Sequence, residues 1–469
     1  MREYIRRARD RILGSRQATI DTIEPGSIVV APRKPIDLHD EAAITEVLDL
    51  AARIGAVLLD SGTGAIDTAD QVQFVAGIYG LDDVDVDVTF NRVLICARRG
   101  STLPPITAVR TVHYRSMDFT RLAEIDRLVR RIRSRAITSA SAHRIVDVIV
   151  AAPHPYSYRT ATLAWGVLAY GVVIYLAAGW IVGLIAFFTS MAIVAVNRKL
   201  HRIGTPLFFQ QVAGGFIAVI PAALTYQILS GTDFSILPGQ VIAAGIVVLL
   251  SGLSLVGAVQ DAITGAPVTG SARFTEVLVM TGGILVGVGI AVKFVSLVGI
   301  ELPALSEIAR FAPSELVPRI VGGAIASGAF AMASYAERRA LPAALGAGAL
   351  GAGVQGGLSL VVTSPLLTYA GAAILVGLIG GLAARAALTP PLVIAIAGIT
   401  PMLPGMAIYR GMNGLLNGEA GRGGVEMLSA FAIGCALAAG VTLGEFIARR
   451  LRRPQLPQAL RTVRHLRRP

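Results

Sequence analysis

Between residues 257 and 276 the chain reads GAVQDAITGAPVTGSARFTE, a polar run inside otherwise apolar sequence. Asp261, Arg273 and Glu276 bring two carboxylates and a guanidinium, Gln260 and Thr264 bring neutral hydrogen-bonding groups, and Gly265 with Pro267 interrupts helix. A helix opened at such a place exposes N–H and C=O groups that can hold the carboxylate and ammonium of a zwitterion. Asp261 or Glu276 could also exchange a proton. The plain alternative is a loop with Asp261 and Arg273 solvated at a membrane surface.

A second run, GITPMLPGMAIYRG at 398–411, has the same character. Pro401 and Pro404 each remove a backbone donor, and the carbonyls they free must face protein or a water-filled cavity. Gly405 follows the second proline, Thr400 offers a hydroxyl, and Tyr409 and Arg410 lie toward the far mouth. The alternative here is a proline kink used only for packing. Gln210, Gln211 and Glu445 are secondary candidates. The two amides read first as glue between helices. Glu445 reads first as the partner of Arg449, one helical turn on.

These runs sit in a chain of 469 residues, 54% hydrophobic and only 15% charged, against about 25% charged for a soluble domain. The deficit begins near Thr160. Stretches long enough to cross a bilayer fall at 161–178, 180–197, 207–229, 238–256, 274–299, 316–335, 341–362, 366–385, 391–410 and 427–448. Ten spans predict an α-helical polytopic protein in two five-helix halves, 160–299 and 300–448, behind a small cytosolic α+β domain at 37–159. A basic segment (1–36) precedes that domain, and a basic tail (449–469) ends the chain. Five helices per half invert one half against the other. Residues 251–265 and 397–411 fall at the fourth span of each half, with Gly252 matching Gly398 and Gly265 matching Gly411.

Positive charge orients the bundle. Arg198, Lys199, Arg202, Arg273, Arg338, Arg339 and Arg385 follow even-numbered spans, and only Lys293, Arg310, Arg319, Arg410 and Arg422 fall opposite. Both termini are therefore expected in the cytosol of a bacterial inner-membrane protein. The net charge of +12 fits a tail lying on anionic lipid head groups. No aromatic-rich module accompanies it that would argue for nucleic acid.

The first domain reads as helix, helix, hairpin, helix, helix. Ile44, Val47, Leu48, Ala51, Ile54 and Leu58 form one helical face, SGTG at 61–64 stops that helix, and VDVDVTFNRVLICARR at 84–99 alternates as two strands turning near Asn91. Asp85 and Asp87 share a strand face that reads as the wet one. The histidines show no metal-ligand spacing, and the chain carries no P-loop or dinucleotide fingerprint. No cofactor is expected.

Long strings then resemble one family: LAARIGAVLLDSGTG (50–64), VDVTFN (86–91), LIAFFTSMAI (184–193), GGFIAVIPA (214–222), QDAITGAPVTGSARF (260–274) and GITPMLPGMAIYRGM (398–412). They resemble the threonine/serine exporters of the ThrE type, over nearly the whole chain. The resemblance implies a soluble domain followed by ten helices, and export of threonine and serine driven by the proton motive force, with no enzyme activity. Related two-component members imply dicarboxylates as the alternative substrate. A membrane-tethered hydrolase using Asp85 and Asp87, or a first domain that assembles copies of the chain, are further alternatives.

Overall fold

The computed structural model describes residues 36–112, 117–135, 137–229, 238–250, 252–300, 302, 312–384 and 389–452. The basic first segment, Arg310, Arg385 and the tail beyond Arg452 lie outside them.

Helix α1 (Glu41–Asp60) starts where Asp40 accepts the Ala43 N–H at 3.0 Å, an N-cap. Its buried stripe includes Ile44, Leu48, Ala51, Ile54 and Leu58. The chain then reverses over 61–64, where Gly62 takes a φ of 92° that side chains resist. Helix α2 (Ala65–Ile78) begins immediately after. Strands β1 (Val84–Thr89) and β2 (Arg92–Arg99) form the expected hairpin, with Val88 opposite Val93.

A third strand, β3 (Leu103–Thr111), extends the antiparallel sheet in the order β1-β2-β3. The segment LPPITAVRT does not read as a strand, because two prolines follow its first residue. An edge strand accommodates them, since one side of its ladder is unused. Helices α3 (Phe119–Arg135) and α4 (Ser139–Ala151) complete the N-terminal α+β unit. Asp85 and Asp87 are exposed, Asp85 pairing with Arg98 and Asp87 accepting from Thr89.

The rest is helical: α5 (Tyr158–Tyr175), α6 (Trp180–Arg202), α7 (Leu207–Leu229), α8 (Pro238–Leu249), α9 (Gly252–Thr264) and α10 (Pro267–Leu297). A second set follows: α11 (Leu316–Ala333), α12 (Leu341–Ser359), α13 (Pro365–Ala383), α14 (Pro391–Ile399), α15 (Gly405–Leu416) and α16 (Ala420–Arg452). Among the described residues, six helices are long and apolar enough to cross a bilayer, and the bent pairs α8–α9 (54°) and α14–α15 (43°), each counted as one span, raise the number to eight. Helices α5 and α12 fall below that hydropathy. The first turn of α5 is spent on Tyr158, Arg159 and Thr160, and α12 is largely Gly and Ala.

The two sets pack alike. In the first, α5 lies on α6, α6 on α7, and α7 on both α8 and α10. In the second, α11 lies on α12, α12 on α13, and α13 on both α14 and α16. Helix α5 against α11 joins the sets. Glycines let these backbones touch. A Cβ on Gly287 would lie 2.0 Å from the Val212 oxygen, and one on Gly444 would lie 2.1 Å from the Ile374 oxygen. Small residues serve this purpose in membrane helices, where apolar burial gives no preference for a helix over lipid.

One expectation is corrected. The run 257–276 is not unwound: α9 stays helical to Thr264, α10 begins at Pro267, and only a two-residue turn separates them. Gly265 takes a φ of 112° and the Ala266 N–H closes onto the Asp261 carbonyl at 2.8 Å, a glycine-led helix stop. In the first set the bend lies earlier, between α8, which ends at Leu249, and α9, which begins at Gly252. The second opens where expected, after a 3-10 turn at Thr400–Met402.

Candidate functional site

The hairpin α9–α10 presents its polar residues to the α+β unit. Asp261, in the last turn of α9, meets Arg273, in the second turn of α10, at 2.7 Å, with side chains 0% and 2% exposed. The other Asp261 oxygen accepts the Ala65 N–H at 2.7 Å, at the start of α2, where the helix dipole favours an anion. Arg273 donates to the Thr63 carbonyl at 3.3 Å. Two glycines admit the pair: a Cβ on Gly64 would sit 3.2 Å from Asp261 Oδ1, and one on Gly257 would sit 2.9 Å from Arg273 Nη1.

Neighbouring residues extend the dock. Thr269 donates to the Val88 carbonyl at 3.2 Å and accepts the Phe90 N–H at 3.1 Å, holding the β1–β2 turn. Gln260 donates to Asp67 at 3.3 Å. Asp261 and Arg273 are thus neither on unwound backbone nor in a solvated loop; they lock the SGTG turn to the helical bundle.

A second dock lies beyond the end of α11. The Phe119 N–H donates to the Ser334 carbonyl at 3.1 Å and the Thr120 hydroxyl donates to the Tyr335 carbonyl. Arg127 and Arg339 both donate to Glu337, at 3.0 and 2.6 Å. Burial pushes the Glu337 carboxyl up, but these two guanidiniums outweigh it and hold the group below its usual range. His154 stacks on Tyr335 with ring centres 4.2 Å apart and meets Asp118 at 2.9 Å. Burial pushes the nearby Tyr156 phenol up to about 12.

The two helix openings do face one another. Leu250 and Leu255 on one side, and Leu403, Pro404 and Ile408 on the other, line a cavity of about 110 Å³ whose walls are almost wholly apolar. Gly405 lets the second opening approach α8, since a Cβ there would sit 2.7 Å from the Ala243 oxygen. Thr400 donates to the Ile396 carbonyl of its own helix at 2.8 Å, and Thr264 likewise to Gln260 at 2.8 Å. Pro401 is buried in the 3-10 turn, Tyr409 is buried in α15, and Arg410 and Glu276 are half-buried.

Two of the secondary candidates reach backbone carbonyls. Gln211 reaches the Leu249 carbonyl of another helix at 3.5 Å, as glue would, but Gln210 turns back to Thr205 ahead of its own helix at 2.7 Å. Glu445 does not pair with Arg449. Arg449 instead donates to Asp67 of α2 at 3.2 Å. Tyr175, Arg319 and Gln355 lie far apart in the sequence. They meet where α5, α11 and α12 converge, with Arg319 and Tyr175 donating to Gln355 at 3.0 and 3.1 Å. The arginine in an apolar helix was the available signal.

Comparison with known proteins places these features in one setting. Residues 49–295 match the threonine/serine exporter family ThrE, and residues 319–447 match a second family described as "Threonine/Serine exporter, ThrE". A curated "Threonine/serine exporter" of Corynebacterium glutamicum is 44% identical over 425 residues, covering 90% of this chain and 87% of that protein. A "Probable threonine/serine exporter" of Mycobacterium tuberculosis is 38% identical over 422 residues, covering 89% of this chain and 78% of that one. No solved structure matches.

Proposed function

The chain belongs to the threonine/serine exporter (ThrE) family, and from that premise we propose that it exports threonine and serine across the bacterial inner membrane, driven by the proton motive force. The observation that carries the reading is the 44% identity to the Corynebacterium exporter over nine-tenths of the chain. A multi-pass helical bundle suits it. The finer reading is a bundle of ten spans, 160–299 and 300–448, with both termini and the 37–159 domain in the cytosol. The repeated packing order and the broken fourth member of each set support it. Five members per set invert one against the other, as in transporters of that class.

In this reading the path runs between the two openings, past Thr400, Pro404 and Tyr409, with Glu276 and Arg410 on adjoining faces. The Asp261–Arg273 pair keeps the cytosolic domain seated at its entrance. The chain would work without a cofactor, and its basic tail would rest on anionic lipid.

The test is efflux of labelled threonine from preloaded proteoliposomes, with and without an imposed proton gradient. Gradient-dependent efflux competed by serine and not by succinate is expected. Succinate movement without threonine movement would transfer the substrate to dicarboxylates.

A further inference from the structure

Where α2, α3, α14 and α16 converge, the α+β unit and the bundle line a half-open chamber of about 270 Å³. At about 10–15 Å³ of such space per water, a small amino acid fits with room to spare. Its lining is acidic: Asp67, Asp70, Asp126 and Glu445, with Arg449 the one cation among the described residues that line it. Two of the acids are engaged, Asp67 by Arg449 and Gln260, and Asp126 by Arg130 on its own helix. Asp70 stands exposed at the rim.

Glu445 differs from all of these. It lies at the inner end, 8% exposed, and its Oε1 has no hydrogen-bond partner. The close approach of α13 to α16 holds it there: Gly381 lies against Ala448 and the Glu445 backbone, leaving no room for a Cβ. A buried carboxylate with an open acceptor attracts a cation that brings N–H donors, and an ammonium brings three.

The second charge of a zwitterion also has a seat. Arg449 follows Glu445 by one turn of α16, so their Cβ atoms lie about 5–6 Å apart and the carboxylate and the guanidinium leave the helix on one face, a pair of opposite charges for the two ends of an amino acid. Arg449 is half exposed and tied to Asp67 by a single contact of 3.2 Å. A substrate carboxylate can take Asp67's place on the guanidinium, with two parallel hydrogen bonds where Asp67 has one.

We propose that this chamber is the entry site for substrate, with Glu445 receiving the ammonium and Arg449, released from Asp67, receiving the carboxylate. The assignment rests on the exporter reading and adds the chemical basis of its selectivity. A zwitterion matches one open carboxylate and one displaceable cation, whereas a dicarboxylate meets four acids. Release of Asp67 also loosens the start of α2, beside the Asp261 dock, so occupancy of the chamber is felt at the seat of the α+β unit.

The experiment uses the full chain in proteoliposomes with labelled threonine. Glu445→Gln should raise the half-saturating threonine concentration by about tenfold or more, the loss of one charge-assisted bond, and Glu445→Asp should recover part of it. Threoninol, which keeps the ammonium, should compete with threonine in the unaltered protein better than 2,3-dihydroxybutyrate, which lacks it, and Glu445→Gln should erase that preference. Unchanged half-saturation in Glu445→Gln, while threonine still moves, overturns the chamber and leaves export standing. Failure of the unaltered protein to move threonine overturns export itself. Should Glu445→Gln fail to fold, a thiol introduced by Asp70→Cys, with Cys96 and Cys435 changed to serine, decides the matter. Threonine should slow its alkylation by a maleimide, and an unaffected rate overturns the proposal.

Discussion

Asp261 has one oxygen on Arg273 and the other on the first amide of α2, and neither side chain of the pair reaches water. Such a pair is a weak source of net stability but a strong constraint, because removing one partner strands the other. Arg273→Ala should therefore cost about 3–5 kcal/mol, read as a lower unfolding temperature in detergent. Asp261→Asn combined with Arg273→Leu should cost less than Arg273→Ala alone, since no charge is left buried; equal or greater loss in the double variant would mean that the residues act separately. Glu337 makes a different case. Its carboxyl is lower in the folded chain than in the unfolded one, so it stabilises the fold above the unfolded value of about 4.3 and loses that contribution as pH falls through the folded value. The unfolding-temperature gap between the unaltered protein and Glu337→Gln should be widest near neutrality and close as pH falls below about 4. A gap constant with pH would assign the effect to packing.

Among the elements, α7 with α10 and α13 with α16 make the closest backbone contacts. In α16, Gly444 meets the Ile374 oxygen whereas Gly424 meets nothing within 4 Å. Gly444→Ile should force α13 from α16 and abolish a monodisperse, folded protein in detergent. Gly424→Ala should be neutral or stabilising by up to about 1 kcal/mol, from helix propensity alone. Equal behaviour of the two variants would remove the packing argument. The same helix pair, through Gly381 against Ala448, holds Glu445 in the chamber, so helix spacing and the proposed site stand or fall together. The sequence showed the glycines but not their partners, because a glycine in an apolar helix looks the same whether it faces a backbone or lipid. Break positions were more legible. Pro401 and Pro404 marked the second opening, because a missing donor acts within one turn. The polar run at 257–276 misled, because Asp261, Arg273 and Thr269 are polar in order to meet the α+β unit, not because their backbone opens.

At the scale of the molecule, the ten-span proposal depends on α5 and α12, the helices that hydropathy leaves out. Ile203 and Val361 are exposed in the turns after α6 and α12. In a chain with Cys96 and Cys435 changed to serine, a thiol from Val361→Cys should react with an impermeant maleimide on intact cells. One from Ile203→Cys should react only after permeabilisation. Labelling of the Ile203→Cys thiol from outside would mean that α5 does not cross. The sequence by itself determined the elements whose causes are local: the capped amphipathic α1, the SGTG reversal, the alternating hairpin, the apolar helices and the proline break. Only the tertiary structure decided which charges meet. Asp261 finds Ala65 across 196 residues and Arg449 finds Asp67 across 382, while Glu445, one turn from Arg449, is passed over. Spacing along a helix offers a partner at small cost in chain entropy. Packing of the α+β unit onto the bundle brings another within reach, and geometry at that buried contact outweighs nearness in sequence.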